Sequence, residues 1–202
     1  MTRPEENYRQ KYQAGDTPWD TGRPDFNLVQ TVTAMPVDPC QALDIGCGTG
    51  NNSIWLAQNN FTVTGIDTAD TAIQKAGEKA ALEQVKCTFL LNDIFTDQIA
   101  GAPFGFVFDR GCFHSFNSDQ ERKLFAEKVA GHLAPAGLWL SIIGNADEKR
   151  EFGPPQRTAT EIITAVESSF EIISLTTSRF ESNHPNPPRA WVCLMRKRNR
   201  AD

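Results

Sequence analysis

Residues 41–67, QALDIGCGTGNNSIWLAQNNFTVTGID, limit the possible folds more than any other stretch. The apolar pair Ala42-Leu43 leads through Asp44 into Gly46, Gly48 and Gly50. A helical segment follows, then a second strand ending at Asp67. Glycines at this spacing let the backbone approach a ligand closely, and the start of the next helix leaves N–H groups without intrahelical partners. A carboxylate closing the next strand can accept both hydroxyls of a ribose. The pattern suits an adenosine-containing cofactor. A ligand-free strand–helix turn and a nicotinamide or flavin site compete with that reading. Two residues disfavour a dinucleotide. Asp44 would repel a pyrophosphate and attract an α-amino group. Asn51 occupies the place where close helix packing wants a small residue.

Beyond this unit, strands and helices alternate. Strands are expected at 42–46, 61–67, 85–91, 106–109, 138–143, 172–176 and 190–195. A helix over 69–83 places Ala72, Ile73, Ala76 and Ala80 on one face. Ser118-x-x-Glu121 and Thr158-x-x-Glu161 are capping boxes opening two more helices, the second with Ile162, Ile163, Val166 and Phe170 as its apolar face. Such alternation implies an α/β fold, a Rossmann-like seven-stranded and mostly parallel sheet with helices on both faces. The last two strands lack a helix between them, so the final strand should run antiparallel. Residues 1–35 precede the sheet as two helical pieces broken at Gly15–Asp20, free to cross the carboxyl edge of the strands, where such sheets bind ligands. The whole of 1–202 reads as one domain with 1–35 as a lid.

Charge and cysteine usage exclude several classes. A formal net charge of −5 gives no electrostatic reason to bind nucleic acid. The one basic run, 196–200, reads as a solvated tail. Five cysteines without a Cys-x-x-Cys pair argue against a disulfide framework or a zinc site, so no metal is expected, and they suit the cytoplasm. The polar start is not a signal peptide, and no apolar run approaches a membrane span. The expected state is a monomer or weak dimer.

The segment 43–50 resembles the first motif of class I S-adenosylmethionine-dependent methyltransferases. Residues 106–114, FVFDRGCFH, narrow the resemblance to thiopurine S-methyltransferases and their relatives acting on thiols, halides or metalloid ions. YRQKYQAGDTPW at 8–19 is similar to that group's N-terminal lid, and Gly153-Pro154-Pro155 with Glu161-Ile162 to its loop after the fifth strand. The resemblance implies S-adenosyl-L-methionine as cofactor and a role for each carboxylate ending strands one to four. Asp67, with Thr68, would hold the ribose. Asp93 would meet the adenine amino group and the Ile94 N–H a ring nitrogen. Asp44 and Asp109 would lie near the methionine end, with Tyr12 and Trp19 closing over it.

Methyl transfer needs alignment and exclusion of water rather than a strong base, because a thiol with a pKa near ~8.5 ionises partly by itself. Arg110 is the candidate to stabilise a thiolate or an anionic substrate, or to steady the cofactor. His114 is the candidate proton relay, with a hydrogen-bonded loop histidine as the alternative. Phe113, Phe116 and Trp19 would form an apolar wall or part of the core, and Cys112 a small packing residue. An amino-methylating enzyme on nucleic acid would need Asn/Asp-Pro-Pro-aromatic after strand four. The chain has Asp109-Arg110-Gly111-Cys112 there. Pro154-Pro155 is either a rigid loop or substrate-lining. Three functions stay open: a small-molecule methyltransferase, a cofactor-binding module without turnover, and a nicotinamide-dependent oxidoreductase.

Overall fold

The computed structural model describes residues 4–35 and 37–199, so Met1–Arg3 of the lid segment and Arg200 of the basic run lie outside the described residues. Two helices, α1 (Pro4–Ala14) and α2 (Phe26–Ala34), precede the sheet. The chain then runs β1 (Gln41–Ile45), α3 (Asn51–Gln58), β2 (Thr62–Asp67), α4 (Asp70–Leu82), β3 (Cys87–Leu91) and β4 (Phe104–Arg110). A 3-10 turn (Phe113–Ser115), α5 (Asp119–His132), β5 (Leu133–Gly144), α6 (Ala159–Val166), β6 (Phe170–Arg179) and β7 (Arg189–Lys197) complete it.

The seven strands lie in the order β3-β2-β1-β4-β5-β7-β6. β1 pairs parallel with both β2 and β4. β7 inserts antiparallel between β5 and β6. The chain reverses its direction of travel across the sheet between β1 and β4, and that reversal opens a crevice at their carboxyl ends.

Alternation along each central strand feeds two cores. Leu43, Val107 and Trp139 point to one face, packed with Phe125 and Val129 of α5 and Ile162 and Val166 of α6. Ala42, Phe106, Phe108 and Leu140 point to the other, with Leu28 of α2 and Leu56 of α3. A period of two with both faces apolar is what a sheet covered on both sides requires. Both capping boxes form as the sequence implies, Ser118 with Glu121 and Thr158 with Glu161.

Three expectations need correction. Ile163 is 39% exposed and Phe170 opens β6, so neither belongs to the α6 face, which Ile162, Ala165 and Val166 supply. β5 begins at Leu133, five residues before the expected start, because it runs through Ala134-Pro135-Ala136-Gly137 across a register shift against β4. The basic run is not a free tail. Lys197 Nζ donates to Leu133 O, and Arg198 Nε donates to Glu167 O and Phe170 O. Arg198 thereby serves a carbonyl at the end of α6, where cations are favourable. Among the described residues no helix is long and apolar enough to cross a membrane.

Candidate active site

The glycine turn holds its shape through backbone bonds. Gly46, Gly48 and Gly50 adopt φ of +66°, +55° and +82°, a region that costs other residues energy. Cys47 N donates to Ile66 O at 2.9 Å, and Gly50 N to Cys47 O at 3.0 Å. A Cβ on Gly46 would strike Cys112 Sγ, and one on Gly48 would come within 2.6 Å of the Tyr12 hydroxyl. Both glycines therefore lie too close to neighbouring side chains to carry one of their own.

Asp67 ends β2 beside this turn. Its Oδ2 accepts from Gly48 N and its Oδ1 from Ala69 N, both at 2.9 Å, and burial pushes its carboxyl up from the ordinary value. The carbonyl of Thr68 accepts from Arg9 Nε at 2.7 Å. Asp93 turns back on its own loop, with Oδ1 accepting from Phe95 N at 2.9 Å, while the side chain of Ile94 is buried in the core.

The other two carboxylates sit behind the crevice rather than in it. Asp44 is 1% exposed, and its Oδ2 accepts from Ser53 Oγ at 2.6 Å, pinning α3 to β1. Asp109 is fully buried. Its Oδ1 accepts from Cys112 N and Phe113 N, and its Oδ2 from Trp139 Nε1. It shapes the turn after β4. Burial pushes Asp44 up to about 7, helped by nearby Asp67 and Asp109, and pushes Asp109 up to about 6.

These shifts carry a stability consequence. Both native pKa values lie above the ordinary carboxyl value, so the folded state keeps protons that the unfolded chain releases. Their contribution is complete below about pH 4 and is lost as pH rises through 6 and 7. The melting temperature of the cofactor-free protein should fall from about pH 5 to about pH 8. Asp44→Asn keeps the acceptor for Ser53 and should make the fall shallower. An unchanged slope in that variant would contradict the assignment.

Arg110 and His114 are both held by contacts within the protein. Arg110 Nε donates to Asp25 Oδ2 at 2.7 Å, Nη2 to Glu181 O at 2.6 Å and Nη1 to Trp19 O at 3.3 Å. Its guanidinium also stacks over Phe180, 5.2 Å from the ring centre. The arginine thus ties the end of β4 to the lid segment and to the β6–β7 loop. His114 is buried, and its Nδ1 accepts from Gly144 N at 2.9 Å. Burial, with Arg157 and Arg110 nearby, depresses it to about 3, so the ring stays neutral.

The N-terminal segment lies across the crevice. Trp19 Nε1 donates to the Tyr12 hydroxyl at 3.1 Å, and the Tyr8 and Tyr12 rings meet Trp19 edge-on at 5.3 and 5.9 Å. Tyr12 packs on Ala69 and Ala72 at the start of α4. Asp20 accepts from Thr49 Oγ1 and Asn51 Nδ2 of the glycine turn, both at 2.8 Å, and Lys79 Nζ donates to Thr49 Oγ1. Sequence reasoning missed Asp20, Asp25, Thr49 and Lys79. Only Asp25 left a local signal, as an N-cap residue before α2. Phe113 belongs to the core around Trp139, and Phe116 packs against Phe95 and Phe125 at its border.

The chain resembles known proteins over much of this architecture. A family model described as a methyltransferase domain matches residues 42–137. A probable thiol methyltransferase 2 from Arabidopsis thaliana is 31% identical over 83% of this chain and 75% of its own length. The chain belongs to the class I S-adenosylmethionine-dependent methyltransferases. Thiocyanate methyltransferase 1 of Brassica oleracea is 27% identical over 73% of this chain and 65% of its own length. The structure described for conversion of a disulfide bond into a thioacetal group during echinomycin biosynthesis superposes with a TM-score of 0.83. It covers 98% of this chain and 93% of that one at 23% identity, a likeness of fold.

The methyltransferase uses S-adenosylmethionine as cofactor. Its residues suit that group: the turn at Gly46, Gly48 and Gly50 runs in the positive-φ region that glycine allows, and an acidic side chain closing the next strand bonds to it.

Proposed function

We propose that residues 1–202 act as one domain that methylates a small molecule, by preference a thiol, beneath an N-terminal lid. One observation carries the choice of acceptor. The buried candidates for a base are already engaged: His114 Nδ1 by Gly144 N, Asp109 by its turn and Trp139, Asp44 by Ser53. An acceptor that must be deprotonated by the enzyme finds no free base among these groups, whereas a thiol ionises partly on its own near neutral pH. The similarity to a protein named a probable thiol methyltransferase supports the same class.

In this reading Asp67 and Thr68 serve the ribose, Asp93 and Ile94 the adenine side, and Gly46, Gly48 and Gly50 the methionine part. Asp44 and Asp109 act from behind by fixing α3 and the turn after β4. Tyr12 and Trp19 cover the sulfonium, whose positive charge an aromatic face attracts by ~0.5–2 kcal/mol. When bound, the cofactor supplies a methyl group on a sulfonium sulfur, which a thiolate takes in line. Arg110 acts by holding the lid in register, and His114 by bracing β5 against the 3-10 turn. The roof of aromatics serves to exclude water from the reacting centre. A net charge of −5 supports the absence of a nucleic-acid partner. The five free cysteines support a cytoplasmic setting. A monomer or weak dimer is the proposed state.

The test is a panel of thiols, thiopurines, halides and tellurite, scored by release of S-adenosylhomocysteine. Thiols should turn over fastest. Preference for an amine or hydroxyl acceptor would overturn the reading, and cofactor binding without any turnover would favour a sensing module.

A further inference from the structure

Two donors at the carboxyl edge of β5 lack partners. Arg157 is 9% exposed and Asn145 is fully buried, yet Arg157 Nε and Asn145 Nδ2 make no hydrogen bond among the described residues. The two residues pair with each other, backbone to backbone, through an isolated parallel bridge. Buried polar hydrogens without partners cost about 1–3 kcal/mol each, so a pair of them calls for a ligand.

The rest of Arg157 is well held. Its N donates to Gly144 O at 2.8 Å, and its carbonyl accepts from Ala146 N and Trp191 Nε1. Nη2 donates to Phe116 O at 2.8 Å and Nη1 to Gln156 O at 2.8 Å. None of these partners is an acid. Among the described residues no carboxylate lies within ion-pair distance of Arg157. Glu161 acts on it from farther away, but Glu161 already pairs with Arg122 at 3.3 Å and caps α6. Arg157 is therefore a buried guanidinium without an adjacent counter-ion, which is expensive unless an anion visits.

Position links the pair to the acceptor. Gly144, the residue before Asn145, donates its N–H to His114 on the turn after β4, at the edge where the crevice opens. Pro154-Pro155 makes this possible. The Pro155 carbonyl packs so tightly on Gly144 that a Cβ there would collide with it, which brings Gln156 and Arg157 back beside the end of β5.

We propose that Arg157 and Asn145 form an anion-binding end of the acceptor site, so that the preferred acceptor is an anionic thiol. The anion is either the reacting thiolate or a carboxylate carried beside it. A guanidinium fork with a neighbouring amide suits both. The inference rests on the thiol-methyltransferase reading, and the experiment separates the two.

The protein and its Arg157→Met and Asn145→Asp variants are assayed with 2-mercaptobenzoate and with the uncharged 2-mercaptobenzamide. Asn145→Asp keeps the oxygen that accepts from Asp147 N and replaces the orphan donor with a carboxylate oxygen, whose charge also opposes an anion there. If the anion is a carboxylate, each variant raises KM for 2-mercaptobenzoate about tenfold or more, the scale of a charged hydrogen bond, and leaves the amide unchanged. If it is the thiolate, both substrates suffer alike and the pH–rate profile moves to higher pH. If neither KM nor the profile moves and only the melting temperature falls, the donors serve folding and the proposal is wrong. Should the variants not fold, a wild-type KM no lower for the acid than for the amide, with profiles that track each thiol's solution pKa, overturns it; a lower KM or a profile shifted to lower pH supports it. Should neither thiol turn over, the thiol reading fails. Binding of 2-(methylthio)benzoate to the protein loaded with S-adenosylhomocysteine then decides the anion site: weaker binding in Arg157→Met supports it, and no binding to wild type overturns it.

Discussion

Asp25→Ala should lose about 3–5 kcal/mol of stability in urea unfolding, the range seen when one member of a buried ion pair is removed. Asp25 is 1% exposed, and its carboxylate is the hub of four bonds. Oδ1 accepts from Asn27 N and Nδ2, and Oδ2 from Arg110 Nε and Glu181 N. Removing it leaves the Arg110 guanidinium, only 14% exposed, without its counter-charge, and takes the cap from α2. The double variant Asp25→Ala/Arg110→Met should recover part of the loss, because an uncompensated charge costs more than an absent pair. A loss below about 1 kcal/mol, or no recovery in the double variant, would show that water already serves Arg110.

Deleting residues 1–23 should lower turnover about a hundredfold or more while leaving a folded protein, since misplacement and water entry at the reacting centre act on the rate. The cut spares Asp25 and α2, which belong to a core with Leu56 and Phe106. It removes Tyr12 and Trp19 from above the glycine turn, and Asp20 from Thr49 and Asn51. In the full chain, S-adenosylhomocysteine should protect this segment from protease. Full activity in the truncated protein, or no protection, would reduce Trp19 to ordinary packing.

The parts of the fold that could be read from sequence were those written in local code. The glycine turn, the acid closing β2, both capping boxes and the antiparallel ending each occupy a few consecutive residues or one missing helix. The start of β5 was not readable, because Ala134-Pro135-Ala136-Gly137 has the composition of a loop and continues the strand only by pairing near Phe104. The site divides in the same way. Asp67 and the glycines lie where a local pattern puts them. Arg110 does not, because its partners lie 85 and 71 residues away in sequence and no spacing rule announces them. His114 is marked in the sequence only by its residue type, and Asp109's expected place comes from the family resemblance. Their partners, Gly144 for His114 and Trp139 for Asp109, each lie 30 residues away, beyond any local spacing rule.

Residues 180–188 join both sides of the rim. Glu181 holds Arg23 of the lid segment and Arg110 of β4, while the carbonyls of Asn186 and Pro187 hold Arg150 of the loop after β5. Three separate stretches of chain are thus cut to one common length. An insertion that a relative could absorb in a free surface loop would here pull the lid or the β5 loop out of reach of its arginine. Length changes in these stretches should be inherited together, and a graft of one from a relative should carry the other two with it.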